Sequence, residues 1–273
     1  MTIMLADGRP MPRIGLGTWP MDDRQAHQAV TYALSVGYRL IDTAATYGNE
    51  RGVGAAVAEA ALPREELFIT TKLRGSQHGY DATMRGFEES RDRLGLDYVD
   101  LYLIHWPLPG HGLYVDTWRA FVHLREQGLV RSIGVSNFTP EQIERLVEAT
   151  GCLPAVNQVE LHPFLAQREL RAWHAGQGIA TESWSPLGAG NKLLDEPAVK
   201  ELATAHGRSP AQIVLRWHVQ LGAVPIPKSV NPERMRQNLE VFDFSLSQEE
   251  MARLDTLDRG GRTGGHPDTH VEL

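Results

Sequence analysis

A chain of 273 residues and 30.3 kDa, with a formal net charge of -7 and no dense Lys/Arg block, lacks the electrostatic footprint of a nucleic-acid or anionic-membrane binder. Hydrophobic residues make up 42% of it, enough for a large core, yet no apolar run approaches the roughly 18 residues a membrane span needs. The opening MTIMLADGRPMPR has no basic segment followed by an apolar stretch, and the one cysteine, Cys152, permits no internal disulfide, so the expectation is a soluble cytoplasmic protein that handles small molecules.

Taken in chain order, TIML and MPRI flank the turn pair Asp7-Gly8 and predict a β-hairpin that plugs or covers something larger. Short apolar or β-branched runs then alternate with helical stretches. They predict strands at 14–18, 39–42, 68–72, 99–105, 132–136, 155–159, 180–184 and 224–228, and a first main helix over 22–36 that Gly37 ends. YVDLYLI is a nearly continuous apolar run, as in parallel strands covered on both faces. GVGAAV at Gly52 imitates a dinucleotide-binding glycine pattern but falls in a helix-like segment rather than after a strand; it reads as a helix packed through small residues. Thr139, Ser209 and Asn231 each offer a capping side chain followed by Pro, and Gln142 and Gln212 complete capping boxes for the first two. The interval between the seventh and eighth strands holds two helices, 196–206 and 209–221, and another at 247–256 precedes a Gly-rich tail. Eight strand-helix units without a linker predict one closed (β/α)8 TIM barrel over 1–273, with an N-terminal β-hairpin and extra helices.

In such barrels chemistry sits at the C-terminal strand ends. Asp42 ends the second predicted strand, Lys72 the third and His105 the fourth, and Tyr47 follows in the loop after Asp42. Singly, these are a helix cap, a solvated strand end, a hydrogen-bonded rim histidine and a packing tyrosine. Jointly they suit proton donation. A buried Lys72 ammonium needs the Asp42 counter-charge, and an ammonium beside a phenol favours phenolate, so a lowered Tyr47 pKa is expected. Tyr47 would then protonate a carbonyl oxygen as hydride reaches its carbon, while His105 holds that oxygen through a neutral ring N–H. Trp19 and Trp106 are assigned with Tyr47 and His105 to the substrate wall, and Trp118 is placed near the rim; Trp173 and Trp217 read as packing. Cys152 reads as a small buried or linker thiol, and the remaining histidines, which lack metal-ligand spacing, as surface residues.

GYRLIDTAATYGNE, TTKL, LYLIHWP, GVSNF, AVNQVELHP, SWSPLG and IPKSVNPERMRQN follow one another along nearly the whole chain. In these motifs the sequence resembles the aldo-keto reductases, (β/α)8 enzymes that reduce aldehydes and ketones with NADPH, and within them the bacterial 2,5-diketo-D-gluconate reductases. The resemblance implies a catalytic tetrad of Asp42, Tyr47, Lys72 and His105. It implies that Ser136, Asn137 and Gln158 hold the nicotinamide carboxamide, that Trp184 stacks on the ring, and that Ser185, Pro186, Leu187 and Gly188 run along the pyrophosphate. Lys228, Ser229 and Arg234 would take the adenosine 2'-phosphate, with Gln237 and Asn238 near the adenine. Two cations at a helix N-terminus are the chemistry of a phosphate site, whereas an NAD specialist would show an acid for the ribose hydroxyls. The family's habit implies a monomer acting on small polar carbonyls. The glycines of RGGRTGGHPDTHVEL predict a mobile tail. Two other readings compete: an NADPH-binding redox sensor, which has no use for the Asp42 and Lys72 pair, and a Schiff-base aldolase, which needs a lysine free of an acid.

Overall fold

The computed structural model describes residues 1–272, so Leu273 lies outside it. The predicted hairpin forms from β1 (Thr2–Met4) and β2 (Pro10–Pro12), antiparallel, with Gly8 at a φ of 82° in the turn. Eight parallel strands follow, each paired with the next: β3 (Leu16–Gly17), β4 (Leu40–Asp42), β5 (Phe68–Leu73), β6 (Val99–Ile104), β7 (Val130–Ser136), β8 (Val156–Glu160), β9 (Ala180–Trp184) and β10 (Val224–Pro225). The first and last are shorter than the sequence predicts. Their junction explains this: Gly15 and Gly17 donate to the carbonyls of Pro225 and Pro227 at 3.0 and 3.2 Å, which closes the barrel. Proline has no N–H to return the bond, so no regular ladder forms there. Glycine is required on the other side, because a Cβ at Gly17 would lie 2.8 Å from the Ile226 carbonyl oxygen.

Strand parity aims the side chains. Leu40, Leu101, Leu103, Val156 and Val224 point into the barrel and pack with Leu5 and Met11 of the hairpin, which covers the N-terminal end. Ile41, Ile69, Tyr102 and Ile133 point outward against the helices. Asp42 shares the parity of Leu40, Gln158 that of Val156 and Glu182 that of Ala180, so the inward row becomes polar toward the C-terminal ends of the strands.

The helices are α1 (Asp23–Ser35), α2 (Glu50–Glu59), α3 (Tyr80–Leu94), α4 (Tyr114–Glu126), α5 (Pro140–Thr150), α6 (Arg168–Gln177), α7 (Pro197–His206), α8 (Pro210–Gln220), α9 (Pro232–Leu239) and α10 (Gln248–Asp255). The capping boxes at Thr139 and Ser209 form as the spacing predicts, and Asp22 and Ser247 make two more. GVGAAV lies in α2, as read. No helix of the described residues is long and apolar enough to cross a membrane.

Two assignments are corrected. Trp118 is fully buried in the outer core, its indole donating to the Cys152 carbonyl at 3.2 Å, and is remote from the rim cavity. His78, His162, His174 and His218 are buried rather than superficial. His174 lies between Asn157 and Thr181 at 2.9 Å from each, and His218 reaches the Pro186 carbonyl at 3.0 Å; burial pushes them down to about 4 and about 3, so both are neutral. For His162, His174 and His218 a polar partner in the fold makes the interior acceptable to imidazole, and residue type alone does not reveal that partner.

The seat of α2 gives a stability prediction. A Cβ at Gly54 would sit 2.0 Å from the Leu94 carbonyl oxygen, a backbone atom that cannot swing away. Gly54→Val is expected to lower the urea midpoint by the equivalent of at least about 1–3 kcal/mol, the range for overpacking; an unchanged midpoint would refute the α2–α3 contact.

Candidate active site

The alternation that fills the barrel brings Asp42 and Lys72 together from adjacent strands. Lys72 Nζ lies 2.6 Å from Asp42 Oδ1, 3.0 Å from the Thr43 carbonyl and 3.2 Å from the Tyr47 hydroxyl. An ammonium has three protons, and these three acceptors use them all. Because Tyr47 Oη accepts from Lys72, its own proton points elsewhere, and Tyr47 lines the cavity. Lys72 is completely buried; burial pulls its pKa down, but Asp42, with help from Tyr47, outweighs this and leaves the net shift upward. It remains an ammonium.

The expected lowering of the phenol is corrected. Burial, the largest influence, pushes the Tyr47 pKa up; Lys72 pulls it down and Asp42 pushes it up again. The ammonium acts in the predicted direction but does not outweigh desolvation. Tyr47 is thus protonated at neutral pH, with the Lys72 ammonium against its oxygen.

His105 has an acidic partner in the tail that the residue pattern did not foresee. His105 Nδ1 lies 2.7 Å from Glu272 Oε1 and 3.3 Å from Thr46 Oγ1. This contact fixes the orientation of the His105 ring at the cavity wall.

Tyr47, His105, Trp19 and Trp106 line one cavity of about 440 Å³ with Ser136, Asn137, Gln158, Trp184, Ser185, Pro186 and Lys228. Trp19 is well exposed and Trp106 buried. A larger cavity of about 540 Å³ opens at the hairpin end, but its Arg13 and Arg39 donate to helix carbonyls and it contains none of the predicted site residues. Asn137, at a φ of 63°, donates to the His105 carbonyl and to Ser136 Oγ, and its Oδ1 accepts from Trp184 Nε1 at 2.8 Å, which fixes the indole plane. The side-chain nitrogen of Gln158 is also engaged, with Asp42 Oδ2 at 2.8 Å and Glu182 Oε2 at 2.7 Å. Both nitrogens are committed inside the protein, so Asn137 Oδ1 and Gln158 Oε1 are the groups with acceptor capacity to spare. Two amide oxygens match the two N–H bonds of a carboxamide.

Leu187, Gly188, Ser229, Arg234, Gln237 and Asn238 lie away from this cavity. Ser185 takes a φ of 48° and Gly188 a φ of 79°, which shapes the loop after β9. Asn231 caps α9 through the Arg234 amide at 3.0 Å. Lys228 and Arg234 are exposed, and neither has an ion-pair partner among the described residues. Ser229 is tied to Asn231, Gln237 donates to Glu233 at 3.0 Å, and Asn238 is buried with its side chain bonded to Tyr38, which turns it away from any ligand on the surface.

No residue pattern signals where the tail lies. Expected to be mobile, it is instead held across the site. Glu160 accepts from the Thr263 amide and hydroxyl at 2.6 Å each and from the Gly264 amide at 3.0 Å. Although burial opposes ionisation, these bonds and His162 hold Glu160 down at about 2. His270 stacks on Trp106 at 3.8 Å, and Glu272 accepts from the Gly75 amide at 2.7 Å besides pairing with His105. Gly264 serves close approach: a Cβ there would lie 2.3 Å from Trp184 Cη2.

With this geometry in view, the relatives fit. The aldo/keto reductase family profile matches residues 13–259, and the chain belongs to that family. It is 53% identical over 268 residues to methylglyoxal reductase DkgA of Yersinia pestis, covering 97% of this chain and 96% of that protein. It is 50% identical over 272 residues to 2,5-diketo-D-gluconic acid reductase B of a Corynebacterium species, covering 100% and 98%. A crystal structure of a Gox0644 mutant in complex with NADPH superposes with a TM-score of 0.95 at 47% identity, over 99% of this chain and 98% of that one.

The latch predicts that Glu160→Ala frees the tail, since three bonds to a carboxylate are lost at once, each of roughly 1.5–3 kcal/mol. Limited proteolysis C-terminal to Gly261 should accelerate at least about tenfold, and indole fluorescence should change as His270 leaves Trp106. Equal proteolysis rates would show that the tail is held by other means.

Proposed function

We propose that this protein reduces aldehydes and ketones to alcohols with NADPH, with small polar carbonyls as substrates. Two relatives carry names of that kind, methylglyoxal reductase and 2,5-diketo-D-gluconic acid reductase. The observation that carries the reading is a Tyr47 hydroxyl on a cavity wall that accepts a hydrogen bond from an ammonium already neutralised by Asp42. When bound, the dihydronicotinamide supplies hydride to the carbonyl carbon. Asn137 Oδ1 and Gln158 Oε1 accept from its carboxamide, and Trp184, its plane fixed by Asn137, forms the wall for the ring. Trp19 and Trp106 bound the remaining space and orient the carbonyl. Tyr47 gives its proton to the carbonyl oxygen, Lys72 stabilises the resulting phenolate, and solvent restores the proton. His105, held by Glu272, donates to the same oxygen and fixes it within reach of Tyr47. Lys228 and Arg234, with the α9 N-terminus, hold the 2'-phosphate.

The aldolase reading is disfavoured because a Schiff base needs a free amine, and Lys72 is kept charged by Asp42. The sensor reading leaves the donor assembly without a purpose.

NADPH oxidation by aldehydes, diketones and keto-sugar acids tests the activity; no turnover with any of them would sink it. Tyr47→Phe should lower kcat at least about 100-fold, the lower end of a general acid's contribution, while the NADPH Kd stays within a few-fold; unchanged turnover would remove Tyr47 from the proton step. Arg234→Ala should weaken NADPH about tenfold or more and leave NADH nearly unaffected, as loss of a charge-assisted contact predicts. Equal losses for both cofactors would refute the phosphate assignment.

A further inference from the structure

Glu182 is fully buried on the inner face of β9 and has no part in the proton relay described above. Its Oε2 accepts from Gln158 Nε2 at 2.7 Å, and the same nitrogen donates to Asp42 Oδ2 at 2.8 Å. One amide group therefore bridges two carboxyl groups, with one cation, Lys72, to serve them, and Lys72 is bonded to Asp42. Oε1 of Glu182 has no hydrogen-bond partner among the described residues. An ionised carboxylate with a bare oxygen in this interior is far more costly than a carboxyl that keeps its proton.

We propose that Glu182 is a positioning residue of the reductase site, a protonated carboxyl that takes the second N–H of Gln158 and so turns the amide oxygen of Gln158 toward the cavity. With Asp42 taking the first N–H, rotating the Gln158 amide by half a turn would set its oxygen against the Asp42 carboxylate and leave Asp42 Oδ2 without its donor. The groups that act on Glu182 are few. Asp42 on β4 opposes its ionisation, whereas the N–H of the uncharged Gln158 on β8 and the Lys72 ammonium on β5 favour it. The other inward residues around it are Val224 on β10, Leu101 and Leu103 on β6, Ser132 on β7 and Gly17 on β3. Burial is the largest influence and Asp42 the next, and together they raise Glu182 to about 8.

The sign of the linkage follows. A carboxyl that titrates higher in the folded state than in the unfolded one supports folding fully below the unfolded value. That support is lost as pH rises through the window up to about 8. Glu182→Gln keeps the shape and the acceptor but cannot ionise. Relative to this variant, the free wild-type protein should lose thermal stability between pH 5 and 8 and change no further above that. Parallel curves for the two proteins would overturn the protonated state.

The positioning role rests on the proposed reductase reading and has its own readout. Glu182→Leu removes the acceptor and should weaken NADPH binding, followed by quenching of indole fluorescence, about tenfold, whereas Glu182→Gln should rescue it to within about threefold of wild type. Glu182→Ser is the alternative should the leucine variant fail to fold. Wild-type affinity in the acceptor-less variant, or no rescue by glutamine, would overturn the role. Because the stability curves are read without cofactor, a failure of carbonyl reduction in wild type would count against the function and leave the Glu182 result standing.

Discussion

The buried pair between Lys72 and Asp42 is the interaction on which the site depends. Removing two charges from water costs several kcal/mol for each, and their attraction repays this only when the remaining protons and lone pairs are also satisfied. Here they are: the three ammonium protons go to Asp42, the Thr43 carbonyl and Tyr47, and the second oxygen of Asp42 accepts from Gln158. Lys72 comes from β5, its three acceptors from β4 and the loop after it, and Gln158 from β8, so the pair is also a tie across the barrel. Shifting the register of β4 or β5 by one residue would turn Asp42 or Lys72 outward and lose the whole set.

Rigidity at the strand ends contrasts with how the rim is closed. Glu272, at the far end of the chain, supplies the acceptor for His105, and Glu160 latches the segment that carries it. A tail can serve so precise a contact only if it is held on both sides of the site, and the Thr263–Gly264 latch and the stacking of His270 on Trp106 provide that. Glycine at 264 permits the backbone to lie against Trp184, a use of glycine opposite to flexibility.

The barrel and the gathering of Asp42, Tyr47, Lys72 and His105 at one rim were legible in the sequence for a shared reason. Parallel strands read as apolar runs, and an ionisable residue ending such a run, as Asp42, Lys72 and His105 do, departs from the packing rule just where barrel chemistry sits. What was not legible depends on surroundings. The shift of Tyr47 is a contest between desolvation and Lys72, and charge proximity can be guessed from spacing while the depth of burial cannot. The neutral His174 and His218 depend on partners brought from other elements. The short first and last strands follow from Pro225 and Pro227, whose missing N–H groups matter only once Gly15 and Gly17 are known to face them. Glu182 passed unnoticed because Gln158, which makes it part of the site, lies on the neighbouring strand.

Charge at the core of the site is limited by this arrangement. One ammonium balances Asp42 in the resting state, and in the proposed reaction, in which Tyr47 gives up its proton, the same ammonium serves a second anion. A third would have no cation. Were Glu182 also ionised, its charge would stand one amide away from Asp42 and oppose the phenolate, making the Tyr47 proton harder to release. A protonated Glu182 therefore lets the interior host a transient phenolate with a single negative charge in excess, and the cost of Tyr47 deprotonation is set by how well Lys72 divides itself between two partners at 2.6 and 3.2 Å.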